Sequence, residues 1–146
     1  MQQFVDQANH NIDFHRCIDT SFENRFTDWK ITVLFYIAIH LIKALAENDK
    51  KDIGNSHQEI NTNINPENPN AVMKVSRKAW RSYQHLFRTS QTSRYSGISD
   101  PETFEQIMKS DYRFCLDSFN YLSKYAKGRG IITNSLASPE KPDKKA

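Results

Sequence analysis

Apolar residues recur along this chain at intervals of three and four, the period of a helix with one buried side. Phe4, Ala8, Ile12, His15, Ile18 and Phe22 mark a first helix from about Gln3 to Glu23. The segment ENRFTD interrupts the pattern, and Thr27 or Asp28 is the expected N-cap of the next helix. That second helix, WKITVLFYIAIHLIKALAE from Trp29 to Glu47, is apolar around most of its circumference, as the central helix of a bundle is. Its longest apolar stretch, Ile31–Ala46, falls about one residue short of a membrane span and is broken by His40 and Lys43.

SHQE, from Ser56 to Glu59, fits a capping box and predicts a short helical turn from His57 to about Ile64. NPENPN ends it, because each Pro disfavours helix in the residue before it. A third long helix is expected from about Asn70 to Ser90, with Val72, Val75, Ala79, Tyr83, Leu86 and Ser90 inward and TSRYSGIS as the loop beyond. Asp100-Pro101-Glu102 starts a fourth: an N-cap, Pro at the first position and an acid in the first turn. It runs to about Lys127 with Phe104, Ile107, Met108, Tyr112, Cys115, Phe119 and Leu122 inward, and Gly128 is the expected stop. The fold class is therefore all-α. The expected architecture is a four-helix up-and-down bundle with a short extra helical turn between the second and third long helices. Residues 1–127 form one domain, and the aperiodic residues 128–146 form a disordered tail.

Charge adds a feature that periodicity does not show. The formal net charge is only +3, yet residues 68–99 contain six Lys/Arg and no acid, while residues 1–67 contain ten acids and six Lys/Arg. On a helical wheel Arg77, Lys78, Arg81, His85 and Arg88 fall within an arc of about 100° around Lys74, opposite the apolar stripe. Adjacent like charges on a helix are unfavourable, so a negative partner or acids from neighbouring helices must compensate. Nucleic acid is one such partner: Lys74, Arg77, Lys78, Arg81, Arg88 and Arg94 would meet phosphates, and Trp80, Tyr83, Phe87 and Tyr95 would offer faces to unpaired bases. An acidic protein surface is another.

Catalytic chemistry has little support. There is no Gly-rich phosphate loop and no GxSxG, HExxH or CxxC motif, and His10 and His15 are too awkwardly spaced on a helix to share a metal. No cofactor or metal is expected. Cys17 and Cys115 read as buried small apolar residues. His40 lies on the least apolar side of the second helix. It is either an edge residue bonded to a backbone carbonyl or part of a cleft shared with His57 and Arg94. The N-terminus lacks the basic and apolar regions of a signal peptide, and a cytoplasmic location with no membrane contact is the expectation.

Asp28-Trp29, the FYIAIH block Phe35–His40, Ser56-His57, and the Ser90 to Arg94-Tyr95 segment resemble small stand-alone proteins of the HEPN superfamily, over about residues 5–126. The resemblance implies a homodimeric all-α bundle that binds RNA or nucleotides in defence, toxin–antitoxin or stress systems. The nine Phe, six Tyr and two Trp also favour a dimer. Nuclease members carry Arg, four to six residues, then His. Here Arg81 leaves three residues before His85, Arg77 leaves seven, and Lys78 stands at the permitted distance. Lys lacks the planar fork of Arg at a phosphate, so the motif is incomplete. Three readings remain: RNA or nucleotide binding without cleavage; a metal-independent variant ribonuclease using His85, His57 or His40; and a regulatory or antitoxin-like protein partner.

Overall fold

The computed structural model describes residues 2–95 and 101–136, with side chains described for 2–92 and 106–136. The described residues form five helices and no strand: α1 (Gln2–Ser21), α2 (Thr27–Asn48), α3 (His57–Ile64), α4 (Arg77–Tyr95) and α5 (Pro101–Lys127). They assemble as a helical bundle around α2, which packs against α1, α4 and α5. This is why α2 is apolar on nearly every side: Ile31, Leu34, Ile37, Leu41, Ile42 and Leu45 are all at most 2% exposed. Length and composition would let α2 cross a membrane, but 72% of that window is buried inside the bundle.

α1 presents Val5, Ala8, Ile12, His15 and Ile18 to α2, the expected stripe, whereas Phe22 lies beyond the helix end and is exposed. The connection to α2 differs from expectation. Neither Thr27 nor Asp28 caps the helix; both are in its first turn, and the cap is Phe26 in the left-handed region at φ 58° with no side-chain bond. Packing supplies what the cap does not. Phe22 meets Phe26 edge to face at 4.9 Å, and the buried Lys30 ammonium reaches back to the Glu23 carbonyl at 3.0 Å and Asp19 at 3.1 Å. At its other end α2 closes with a two-bond motif: Lys51 N–H donates to Ala46 O and Lys50 N–H to Glu47 O, with Lys50 left-handed at φ 56°.

The capping box at α3 is present, with Glu59 N–H donating to Ser56 Oγ (3.1 Å) and Ser56 N–H to Glu59 Oε1 (3.4 Å). The long helix expected from Asn70 begins instead at Arg77. Asn65 and Asn68 take backbone N–H groups from Glu67 and Asn70, turning the chain locally in place of helix. Met73 and Val75 then donate to Asn63 O and Ile64 O, tying a non-helical segment onto α3. Ser76 Oγ accepts from Ala79 N–H and caps α4. Val75 is thus buried from a non-helical segment, and Val72 is exposed.

α4 also continues to Tyr95, through half of the expected loop. Residues 91–95 contain no Gly or Pro, and Ser90 and Thr92 hydroxyls bond the Phe87 and Arg88 carbonyls within the helix. Met108, Cys115, Phe119 and Leu122 of α5 are buried as expected; Ile107 is exposed, and Asp100 and the Phe104 side chain lie outside the described residues. α5 ends at Lys127, as expected, with Gly128 just beyond it, and the closing turn runs on to Gly130. Ile131 N–H donates to Ala126 O and Gly130 N–H to Lys127 O, with Gly130 at φ 91° filling the left-handed position. Ile131 is 2% exposed and Asn134 N–H donates to Asn9 Oδ1 at 2.8 Å. Residues 128–136 therefore contact the bundle through Ile131, Asn134 and Leu136; 137–146 lie outside the described residues.

Candidate nucleic-acid interface

The helical part of the cationic stripe is where the wheel placed it. Tyr83, Leu86 and Ala79 fill the inner side of α4, so Arg77, Lys78, Arg81 and Arg88 are exposed on the outer side and His85 is half-buried beside them. Lys74 is not on the helix; it is exposed in the non-helical segment leading to it. Trp80, Arg81, Gln84, His85 and Arg88 line a shallow groove of about 420 Å³ along α4.

Compensating acids are few. Among the described residues one ion pair touches the stripe, Arg77 to Glu67 at 3.3 Å, and both side chains are more than half exposed. Such a pair contributes about 0–1 kcal/mol. Lys78 sits over the Tyr121 ring at 4.5 Å and is anchored on α5. Arg81 and Arg88 make no ion pair among the described residues. Among the described residues, two guanidiniums therefore face one groove without a carboxylate, an arrangement that attracts phosphate.

The aromatic residues behave differently from expectation. Tyr83 is fully buried and bonded to His57 Nδ1 at 2.9 Å, so it offers no ring to a base. Phe87 is stacked on His57 at 3.3 Å between ring centres. Trp80 lines the groove, with its indole N–H donated to Asn61 at 3.1 Å. The side chains of Arg94 and Tyr95 lie outside the described residues. An aromatic that the pattern passed over is Phe114, 65% exposed on α5 with its ring 5.6 Å from His85. Its signal in the sequence was a large aromatic off the inward stripe of α5.

The three candidate histidines occupy three separate surroundings. His40 Nδ1 is bonded to Tyr36 O at 2.7 Å, the edge-residue arrangement, and the ring lines a groove between α1 and α2 that contains neither His57 nor His85. His57 packs among Phe35, Tyr83 and Phe87 at the α3 start, and burial lowers its pKa. His85 alone shares a groove with arginines, and its Nε2 is buried without a partner. No pair of these rings is placed to move a proton in one step and return it in the next.

A different histidine is the most perturbed. His15 is 2% exposed, bonded through Nε2 to the Tyr112 hydroxyl at 2.8 Å, and its Nδ1 has no partner. Burial lowers its pKa to about 4; Asp19 opposes the shift and Lys30 adds to it. Cys115 is buried in the same region, and burial pushes its thiol up to about 11, while Cys17 is exposed rather than buried. Comparison with family models, with curated proteins and with solved structures finds no match for this chain.

Proposed function

We propose that this chain is an RNA- or nucleotide-binding domain of the HEPN type, working in the cytoplasm in a defence, toxin–antitoxin or stress setting. In this reading the four long helices form the up-and-down bundle of that superfamily, and α3 is the extra helical turn. The observation that carries the reading is the groove on α4, where Arg81 and Arg88 face outward with no opposing carboxylate among the described residues. Phosphates would bind the two guanidiniums, with Lys74 at the helix start extending the contact. Trp80 and Phe114 flank His85 and supply faces on which a base can stack.

Binding without cleavage is favoured over the variant ribonuclease. A nuclease needs a base and an acid within reach of one phosphodiester. Here His85 stands without a second histidine in its groove, and Lys78, the residue at the motif spacing, is anchored over Tyr121. The test is incubation of the protein with labelled single-stranded RNA in EDTA. A retarded, intact band lost in Arg81→Glu/Arg88→Glu supports the proposal. Fragments that disappear in His85→Ala would establish the ribonuclease instead. No retardation would leave the cationic face to an acidic protein.

A further inference from the structure

The connection from α2 to α3 forms one wall of a second groove. Its residues are tied along their length. Lys51 N–H donates to Ala46 O at 2.8 Å, Gly54 N–H to the Asp52 carboxylate at 2.9 Å, and Asn63 Nδ2 to Ile53 O at 3.1 Å. With the first turn of α1 and the last turns of α2, this loop borders about 550 Å³, a size common among small-molecule sites. The floor is apolar: Phe4 packs on the core, and Ala46 and Ile53 are each 3% exposed. The rim is cationic. Lys43 holds its ammonium over the Phe4 ring at 5.8 Å, and Lys50 and Lys51 are exposed and make no ion pair among the described residues. Two carboxylates, Glu47 and Asp52, interrupt this rim, and both are engaged, Asp52 by the Gly54 N–H.

We infer that this groove binds a small aromatic carboxylate. The ring would lie on Phe4, Ala46 and Ile53, and the carboxylate would reach the ammoniums of Lys50 and Lys51. The lining selects this class by charge. A cationic ligand would meet three ammoniums. A purely apolar one would cover part of the lysine rim with nothing to pair it. A nucleic-acid strand carries a charge at every nucleotide, and Glu47 and Asp52 would repel the next phosphate; the α4 groove has no carboxylate among its lining residues. Three ammoniums against two carboxylates leave a net charge of +1, which one singly charged group neutralises. Lysine suits this role, because its ammonium is a compact point charge that needs no fixed fork geometry. The bonds within the loop hold the wall in shape before a ligand arrives, so little ordering is required on binding.

The groove shares no lining residue with the one on α4, so the inference stands apart from the RNA reading. The test is titration of the full chain with indole-3-acetate, followed by backbone amide NMR shifts. Half-saturation is expected on the order of 1 mM, the strength that about 13 non-hydrogen atoms supply. The largest shifts should fall at Phe4, Ala46, Ile53 and Gly54. Tryptamine, the same ring with a cationic end, should bind at least about tenfold more weakly. Lys50→Gln/Lys51→Gln changes two exposed side chains and should weaken indole-3-acetate by about fivefold or more, with the rest of the spectrum unmoved. Lys109→Gln, at an exposed site on α5, should leave the titration as it is. No saturation by about 10 mM, tryptamine binding as tightly as indole-3-acetate, an unchanged affinity in the Lys50/Lys51 variant, or shifts centred on α4 would each overturn the inference.

Discussion

Protonation of His15 should set the acid limit of this fold. In the folded chain its pKa is about 4, against 6.5 for an unburied imidazole. The cause is visible around the ring. The imidazole is 2% exposed, the Lys30 ammonium is nearby, and a proton on Nδ1 would bury a donor with no acceptor. Between about pH 4 and 6.5 the unfolded chain therefore carries a proton that the folded chain does not. Stability is complete above about pH 6.5 and falls as pH drops toward 4, by about 1.4 kcal/mol per unit at its steepest. The full contribution is roughly 3 kcal/mol, a large share of a typical 5–15 kcal/mol. The perturbation that isolates it is His15→Gln, which keeps a polar group for the Tyr112 hydroxyl and does not titrate. Urea unfolding of both proteins from pH 7 to 4.5 cancels contributions common to them, such as those of carboxylates. The wild type should lose stability relative to His15→Gln by about 2–3 kcal/mol across this range. Parallel curves would refute the assignment of a neutral, desolvated imidazole.

Two further outcomes follow from local geometry. Gly54→Ala should cost about 2 kcal/mol by urea unfolding, since φ is +89° there and a Cβ would lie 2.5 Å from the Glu59 carboxylate that completes the α3 capping box. Gly128→Ala, whose nearest contacts are ordinary at 3.5 and 3.6 Å, should be close to neutral, and equal losses at both positions would contradict this account. At pH 8, at most one thiol of the native protein should react rapidly with a chromogenic disulfide, because Cys115 is buried and its thiol is pushed up to about 11. Two fast thiols would show that the α5 core opens readily.

The helices were legible because burial imposes a period that the sequence cannot hide. Val5 to Ile18, the all-round apolar α2 and the stripe from Met108 to Leu122 announce themselves this way. The Ser56–Glu59 box was legible for another reason, being complete within four residues. What escaped the sequence depends on contacts between distant segments. Val72 and Val75 have helical spacing with Ala79, yet the asparagine turns and the tie to α3 hold 71–76 out of helix. The αL residues Phe26 and Lys50 carry no glycine to betray them. At the candidate site, the arginines were found from charge alone, since solvent-facing cations follow the wheel. The base-stacking partners were not, because Tyr83 and Phe87 look like their exposed counterparts until His57 arrives from α3. The lysine-rimmed groove was equally hidden: Phe4, Ala46 and Ile53 form one floor only when α1, α2 and the loop to α3 pack.

The central claim is that the outer face of α4 is an electrostatic seat for a phosphate backbone. Its most direct test is the salt dependence of RNA affinity, measured by anisotropy of a labelled single strand at several salt concentrations. Each phosphate contact on a single strand contributes about −0.7 to the slope of log affinity against log salt. Wild-type protein should bind with a steep negative slope, and Arg81→Gln/Arg88→Gln should flatten it by about 1.4. A slope that is the same in both proteins, or an affinity indifferent to salt, would contradict the assignment of this groove.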